Sequence, residues 1–147
     1  MTERQAIPRF RAWHKKWEEM GDVKRIRFDD DGNINTVLFK GKLFGVNAKI
    51  DEVILMQSTG IKDKNGKEIF EGDLITRIGV FNSVVKYGKW QYEEDFGAKS
   101  KSIGFYIDNS YEDGSWYEPF RYTDVNSNYE VVGNIYENGD KVGYGDE

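Results

Sequence analysis

The sequence predicts a mainly β protein, and three features carry that prediction. Gly is 16 of 147 residues and recurs beside Asn or Asp, at Asp31-Gly32-Asn33, Asn65-Gly66, Asp113-Gly114 and Asn138-Gly139. Such pairs tolerate the positive φ of tight hairpin turns. Between them lie short β-rich runs, clearest at residues 53–57, 73–78, 81–87, 103–107 and 129–136. Their lengths and turn spacing suit a small sandwich or barrel. Long, strongly periodic helices are absent.

Taken in order, the first element is ambiguous. Trp13, Trp17 and Met20 fall at i, i+4 and i+7, which suits one face of a helix over residues 13–20. The same stretch also reads as two strand ends joined by a charged turn. The segment Asp63-Lys64-Asn65-Gly66-Lys67 predicts a turn with Gly66 in the left-handed conformation. Gly72-Asp73 then opens a strand, a start common in SH3-like barrels. Residues 96–102, rich in Gly, Ser and Lys, and residues 111–115 read as loops, the first of them mobile.

Composition narrows the function. Hydrophobic residues are only 38%, yet aromatics are 15%, with 9 Tyr, 9 Phe and 4 Trp. A disordered chain is poor in rings, so the expectation is a folded protein whose small core is built on them. With no cysteine, disulfide scaffolds, thiolate zinc sites and Cys nucleophiles are excluded together. No cofactor is expected, and no nucleophile–base or metal constellation is visible, so the expectation is a non-enzyme. The first residues carry charges at Glu3, Arg4, Arg9 and Arg11, unlike a secretory leader, and the longest apolar run is Val53-Ile54-Leu55-Met56. That run is far short of the roughly 20 residues that span a bilayer, so no membrane role is expected.

The formal charge of −5 is unevenly spread. Residues 1–50 carry 11 basic and 7 acidic side chains, residues 51–101 carry 8 and 9, and residues 102–147 carry 2 and 10. The acidic last third repels phosphate backbones, whereas the basic first third suits an acidic partner.

Several motifs fail on inspection. Gly60 to Lys67 has five residues between its glycines and Glu68 after the Lys, so it is a hairpin turn and not a phosphate loop. Counting from Gly32, a calcium loop needs ligands at Arg27 and Leu38, so Asp29-Asp30-Asp31 is an acidic turn. His14, flanked by Trp13 and Lys15, reads as an exposed surface residue. Glu93-Glu94-Asp95 and the pair Glu71/Asp73 read as solvated surface or turn caps. Arg9, Arg11, Lys15 and Lys16 interleave with Phe10, Trp13 and Trp17, and Lys24, Arg25 and Arg27 follow closely. Cations meet phosphate and rings stack on bases, so these seven residues form a candidate nucleic-acid surface. They suit a strand with its arginines in solvent equally well. Trp90, Tyr92, Phe105, Tyr106, Trp116, Tyr117, Phe120, Tyr122 and Tyr129 crowd the second half and read as core plus interface, with a sugar or peptide groove as the alternative.

Three blocks carry a family resemblance. Pro8-Arg9-Phe10-Arg11-Ala12-Trp13, the stretch from Met56-Gln57-Ser58-Thr59-Gly60 through Phe70-Glu71-Gly72-Asp73-Leu74-Ile75, and Tyr129-Glu130-Val131-Val132-Gly133-Asn134-Ile135-Tyr136-Glu137-Asn138 occur in this order. The chain resembles the YopX-like phage and prophage proteins. It departs from them in having His14 where the family usually has Asp, and in lacking a short Pro-containing tail. The resemblance implies an SH3-like β-barrel over residues 60–147, preceded by a smaller β-containing (α+β) N-terminal region over residues 1–59. It also implies a phage or prophage origin and the host bacterial cytoplasm, and it brings no reaction. The expected function is an accessory role through protein–protein contacts with an unidentified phage or host protein. The ring content and the opposed charges of the two ends favour a homo-oligomer. The alternative is a nucleic-acid-binding module using the basic N-terminal segment.

Overall fold

The segment around Trp13 and Met20 turns back on itself instead of coiling. In a computed structural model of the chain, which describes residues 8–93, 95–111 and 114–144, β1 (Phe10–His14) and β2 (Glu19–Phe28) form an antiparallel hairpin. Trp13 faces Met20 directly across it, so hairpin and helix both bring those residues together. The turn decides between them: Glu18 takes φ 50, its N–H donates to the His14 carbonyl at 2.8 Å, and the Trp17 N–H donates to His14 Nδ1 at 3.2 Å.

The chain divides into two compact units, Met1–Ser58 and Thr59–Glu147. In the first, β3 (Ile34–Lys40) and β4 (Gly45–Lys49) follow β2, and β5 (Val53–Lys62) returns beside β1, giving the pairing order β4-β3-β2-β1-β5. Every pairing is antiparallel. Lys49 lies level with Thr36 and Arg27, and Val53 lies level with His14 and Glu19. On a flat sheet those levels are seven register spacings apart, about 23 Å, since the β2 residues between them include a bulge at Lys24. The link Ile50–Glu52 has a reach of only about 14 Å, so the sheet curls to bring the end of β4 near the start of β5. The curl encloses Ala12, Val37, Phe39, Ala48 and Val53. Among the described residues this unit holds one 3₁₀ turn and no α-helix, so the expected α+β character gives way to β structure alone.

In the second unit the far end of β5 pairs with β6 (Glu68–Phe70). A second sheet follows the order β10-β9-β8-β7-β11, from β7 (Asp73–Thr76), β8 (Phe81–Glu93), β9 (Lys99–Asp108), β10 (Tyr117–Pro119) and β11 (Glu130–Asn134). The short β12 (Gly143–Tyr144) joins the start of β8. This sheet is open: among the described residues β10 and β11 stay at its edges, and the expected closed barrel does not form. Ile69, Ile75, Val85, Ile107, Val125, Tyr129 and Val131 make its core. That core is mainly aliphatic, contrary to the expectation of a core built on rings. Val125 comes from α1 (Tyr122–Asn128), a helix with a single buried residue and hence no readable period.

Residues 99–102, expected in a mobile loop, are the start of β9, because Ser100 and Ser102 pair with Tyr92 and Trp90. Asp113 of the predicted Asp113-Gly114 turn and Glu94 of the acidic run lie outside the described residues.

The turn at Asp63 organises this unit. Gly66 has φ 85, as the turn type requires. The Asp63 side chain is buried, with Oδ1 accepting from the N–H groups of Asn65 (2.9 Å) and Lys67 (2.8 Å) and Oδ2 from that of Val131 (2.9 Å). Burial pushes its pKa up, but the three backbone bonds and the Lys67 charge outweigh it and hold the carboxyl below its ordinary value. A depressed folded-state pKa contributes stability that is present above the unfolded value and is lost as pH falls through the folded one. Asp63→Asn is therefore expected to cost about 2–3 kcal/mol at neutral pH, as for hydrogen bonds to a charged group. Urea midpoints between pH 6 and 2 check this, since the gap between wild type and variant should narrow below pH 4.

Candidate functional site

Along β8 the core-facing positions run Val85, Ser83, Phe81, so the aliphatic face turns polar and then aromatic towards the start of the strand. A groove of about 610 Å³ opens there. Its floor is polar. The Ser83 hydroxyl donates to Asn109 Oδ1, and Nδ2 of Asn109 is enclosed with no acceptor among the described residues. The Arg77 guanidinium sits 5.4 Å from the Tyr129 ring centre. The Tyr129 hydroxyl donates to Glu118, and burial, followed by the Glu118 charge, raises its pKa. The walls are apolar: Ile78, Val80 and Trp116 are exposed, and Phe81, Tyr111 and Tyr144 meet edge-on at 5.0–6.0 Å. This triple contact depends on Gly143, which has φ 87 and carries the Tyr111 ring directly on its Cα. The arrangement offers ring faces, aliphatic edges and the hydroxyls of Tyr111, Ser115 and Tyr144, while its charged groups are already engaged with Tyr129.

Four rings, Trp90, Tyr92, Tyr106 and Tyr117, form a column on the opposite face of the β8–β9 ribbon. Trp90 stacks on Tyr92 at 4.9 Å and on Tyr106 at 5.5 Å, and Tyr106 meets Tyr117 edge-on. Register places Trp90 opposite Ser102, four residues from Tyr106 and about 13 Å along a straight strand. The directly opposed Gly88 and Gly104, at φ 149 and 148, let the ribbon bend and close that gap. At its root Lys86 Nζ lies 2.7 Å from Asp108 Oδ2. The hydrogen bond to Asp108 raises the Lys86 pKa; burial pushes the Asp108 pKa up, but Lys86 and Ser110 together hold it below its ordinary value. Of the rings read as core plus interface, Tyr129 is in the core, Phe105 and Phe120 pack on it, and Trp116 and Tyr122 are exposed.

The seven candidate cations do not form one cluster. Lys15 and Lys16 sit in the β1–β2 turn, with Lys15 Nζ donating to the Asp51 carbonyl at 2.9 Å. Arg9 precedes β1, and Lys24 lies 3.7 Å from Asp22. Opposed residues of antiparallel strands share a face, so Arg11, Arg25 and Arg27 lie together on the side away from the core, with Lys40 and Lys49, which sequence reasoning missed. His14 corrects the surface expectation. It is 3% exposed, because strand alternation puts it on the core side with Ala12, and it stacks on Trp17 at 4.1 Å.

A family model described as YopX protein matches residues 9–142. The chain belongs to the YopX family. A search among curated proteins finds no match. Among solved structures, protein EF1440 from Enterococcus faecalis is 24% identical, with a TM-score of 0.56 over 92% of this chain and 98% of that one. That likeness speaks for the fold alone. No helix among the described residues is long and apolar enough to cross a membrane.

The groove's dependence on Gly143 is testable. Gly143→Ala puts a methyl into the Tyr111 ring at a strained φ and is expected to cost about 1–3 kcal/mol. Thermal melting reads the loss, and the near-ultraviolet dichroism of the displaced Tyr111–Phe81–Tyr144 cluster should fall with it.

Proposed function

We propose that the protein is a phage-encoded accessory factor of the host bacterial cytoplasm that carries out no reaction of its own and acts by protein–protein contact, as a homo-oligomer. The groove of the second unit carries the reading. Its walls expose large apolar side chains side by side, Ile78 at 82%, Trp116 at 63% and Tyr144 at 58%. A contiguous apolar patch with a polar floor is the anatomy of a contact surface. Its ionic groups favour binding over reaction, because Arg77 and Glu118 are committed to Tyr129 and the Ser83 hydroxyl to the Asn109 carbonyl. Trp116 and Tyr144 are the expected anchors, as exposed rings dominate binding energy where they become enclosed. Photo-crosslinking in phage-infected cells, with a benzophenone residue at Ser115, checks this. One defined protein should be captured by the wild-type groove and lost from a Trp116→Ala/Tyr144→Ala variant. Capture indifferent to those two rings would overturn the reading.

A second reading, nucleic-acid binding, is favoured by one observation: the outer face of the first sheet carries Arg25, Arg27, Lys40 and Lys49 against one acid, Asp22, among the described residues. On this reading, Arg25→Ala/Arg27→Ala weakens filter binding of single- or double-stranded DNA and lowers the slope of log K against log salt by up to about two. Binding that is absent at 50 mM salt rules it out.

A further inference from the structure

The β8–β9 ribbon has a sheet edge to which no strand is paired among the described residues. Beyond Val85, which accepts from the Gly72 N–H at 2.7 Å, β8 pairs only with β9 along one side. Its other side from Lys86 to Glu93 presents a row of backbone donors and acceptors with no strand beside it among the described residues. An uncovered edge of that length is a template for a further strand. The local sequence selects which one. Lys89-Trp90-Gln91-Tyr92-Glu93 is complementary to itself when reversed: an antiparallel copy centred on Gln91 sets Lys89 opposite Glu93, Trp90 opposite Tyr92, and Gln91 opposite Gln91. The two charged pairs fall on one face of the joined ribbon. The ring pairs fall on the other, extending the Tyr106–Trp90–Tyr92 column into the second copy. The partner edge, β9, lacks this property, because reversal about Lys101 places like charges together.

We infer that two copies of this chain associate about a two-fold axis at Gln91, by antiparallel pairing of their β8 edges. The interface is isologous, each copy giving one Lys89–Glu93 and one Glu93–Lys89 contact. It rests on the homo-oligomer part of the proposed function and is independent of the groove. It names the surface and the register.

Light scattering on the full chain tests it. Wild type is expected at twice 17.1 kDa. Lys89→Glu sets Glu against Glu across the axis on both sides and should weaken dimerisation at least tenfold. The exchange Lys89→Glu/Glu93→Lys restores both pairs with unchanged composition, and should restore the dimer. The chain has no cysteine, so Gln91→Cys adds one thiol per copy, and mild oxidation should trap a disulfide-linked dimer across the axis. Circular dichroism confirms that each variant is folded. A wild-type monomer at high concentration overturns both this inference and the oligomer reading. A dimer indifferent to Lys89→Glu, or one that the charge exchange does not restore, overturns this interface alone.

Discussion

The Asp63 carboxylate is the tie on which the second unit depends. A buried charge is unfavourable unless hydrogen bonds surround it, and here three backbone N–H groups do so. Two lie in its own turn. The third, Val131, is 68 residues further on, in the strand that pairs with the buried β7. Neighbouring bonds strengthen the same junction: the Lys64 N–H donates to the Tyr129 carbonyl, and Asn126 Nδ2 donates to the Lys62 carbonyl. The opening and closing segments of the unit are thus fastened at one point. Tyr129 is held there, and Tyr129 in turn engages Glu118 and Arg77 on the groove floor. The geometry of the candidate site begins with a turn that contains none of its residues.

Two of the three blocks that mark the family, the central and the closing one, are largely turn chemistry, while the first lies mostly in strand β1. Asp63 and Gly66 close the hairpin of β5 and β6. Asp73 Oδ2 accepts the Phe70 N–H across the tight Glu71-Gly72 corner, and Asn134 Oδ1 accepts from Tyr136 and Glu137. Such residues are legible because each acts on its own neighbours, and Gly beside Asn or Asp has few other uses. The strands between them are legible for the same reason, since β5, β7, β8, β9 and β11 each overlap a run of β-branched and aromatic residues. The hairpin of β1 and β2 was legible only as one of two alternatives, because Trp13, Trp17 and Met20 satisfy a helical period and a hairpin register at once. Its choice rests on a Trp17 N–H to His14 Nδ1 bond that no pattern of hydrophobicity encodes.

The groove was illegible for a different reason. Its residues run from Arg77 to Tyr144 and meet only through pairings of distant segments, β8 with β12 and β9 with β10. The sequence showed abundant rings but not their division into an apolar wall, a stacked column and a single core tyrosine. Strand alternation makes that division. Tyr87 and Phe105 share the core side of the ribbon, while Trp90 and Tyr106 share the other. Alternation also separated the basic side chains, moving Arg25 and Arg27 onto a face with Lys40 and Lys49 and away from Lys15 and Lys16.

The ribbon beyond Gly88 and Gly104 shows how these constraints meet. Two strands alone are marginal in water, because one face of each strand and both edges stay solvated. The bend at the glycine pair turns this ribbon back so that Trp90 lies on Tyr106, whose other neighbours are Tyr117 and the Lys86–Asp108 ion pair. The ring column therefore stands in for the layer that a further sheet would supply, and it fixes the ribbon's face without covering its edge. The face can be satisfied within one chain by side chains, whereas the edge consists of backbone groups spaced for another strand. An arm stiffened on its face and left open along β8 is preorganised to receive such a strand, with the ordering cost already met by folding.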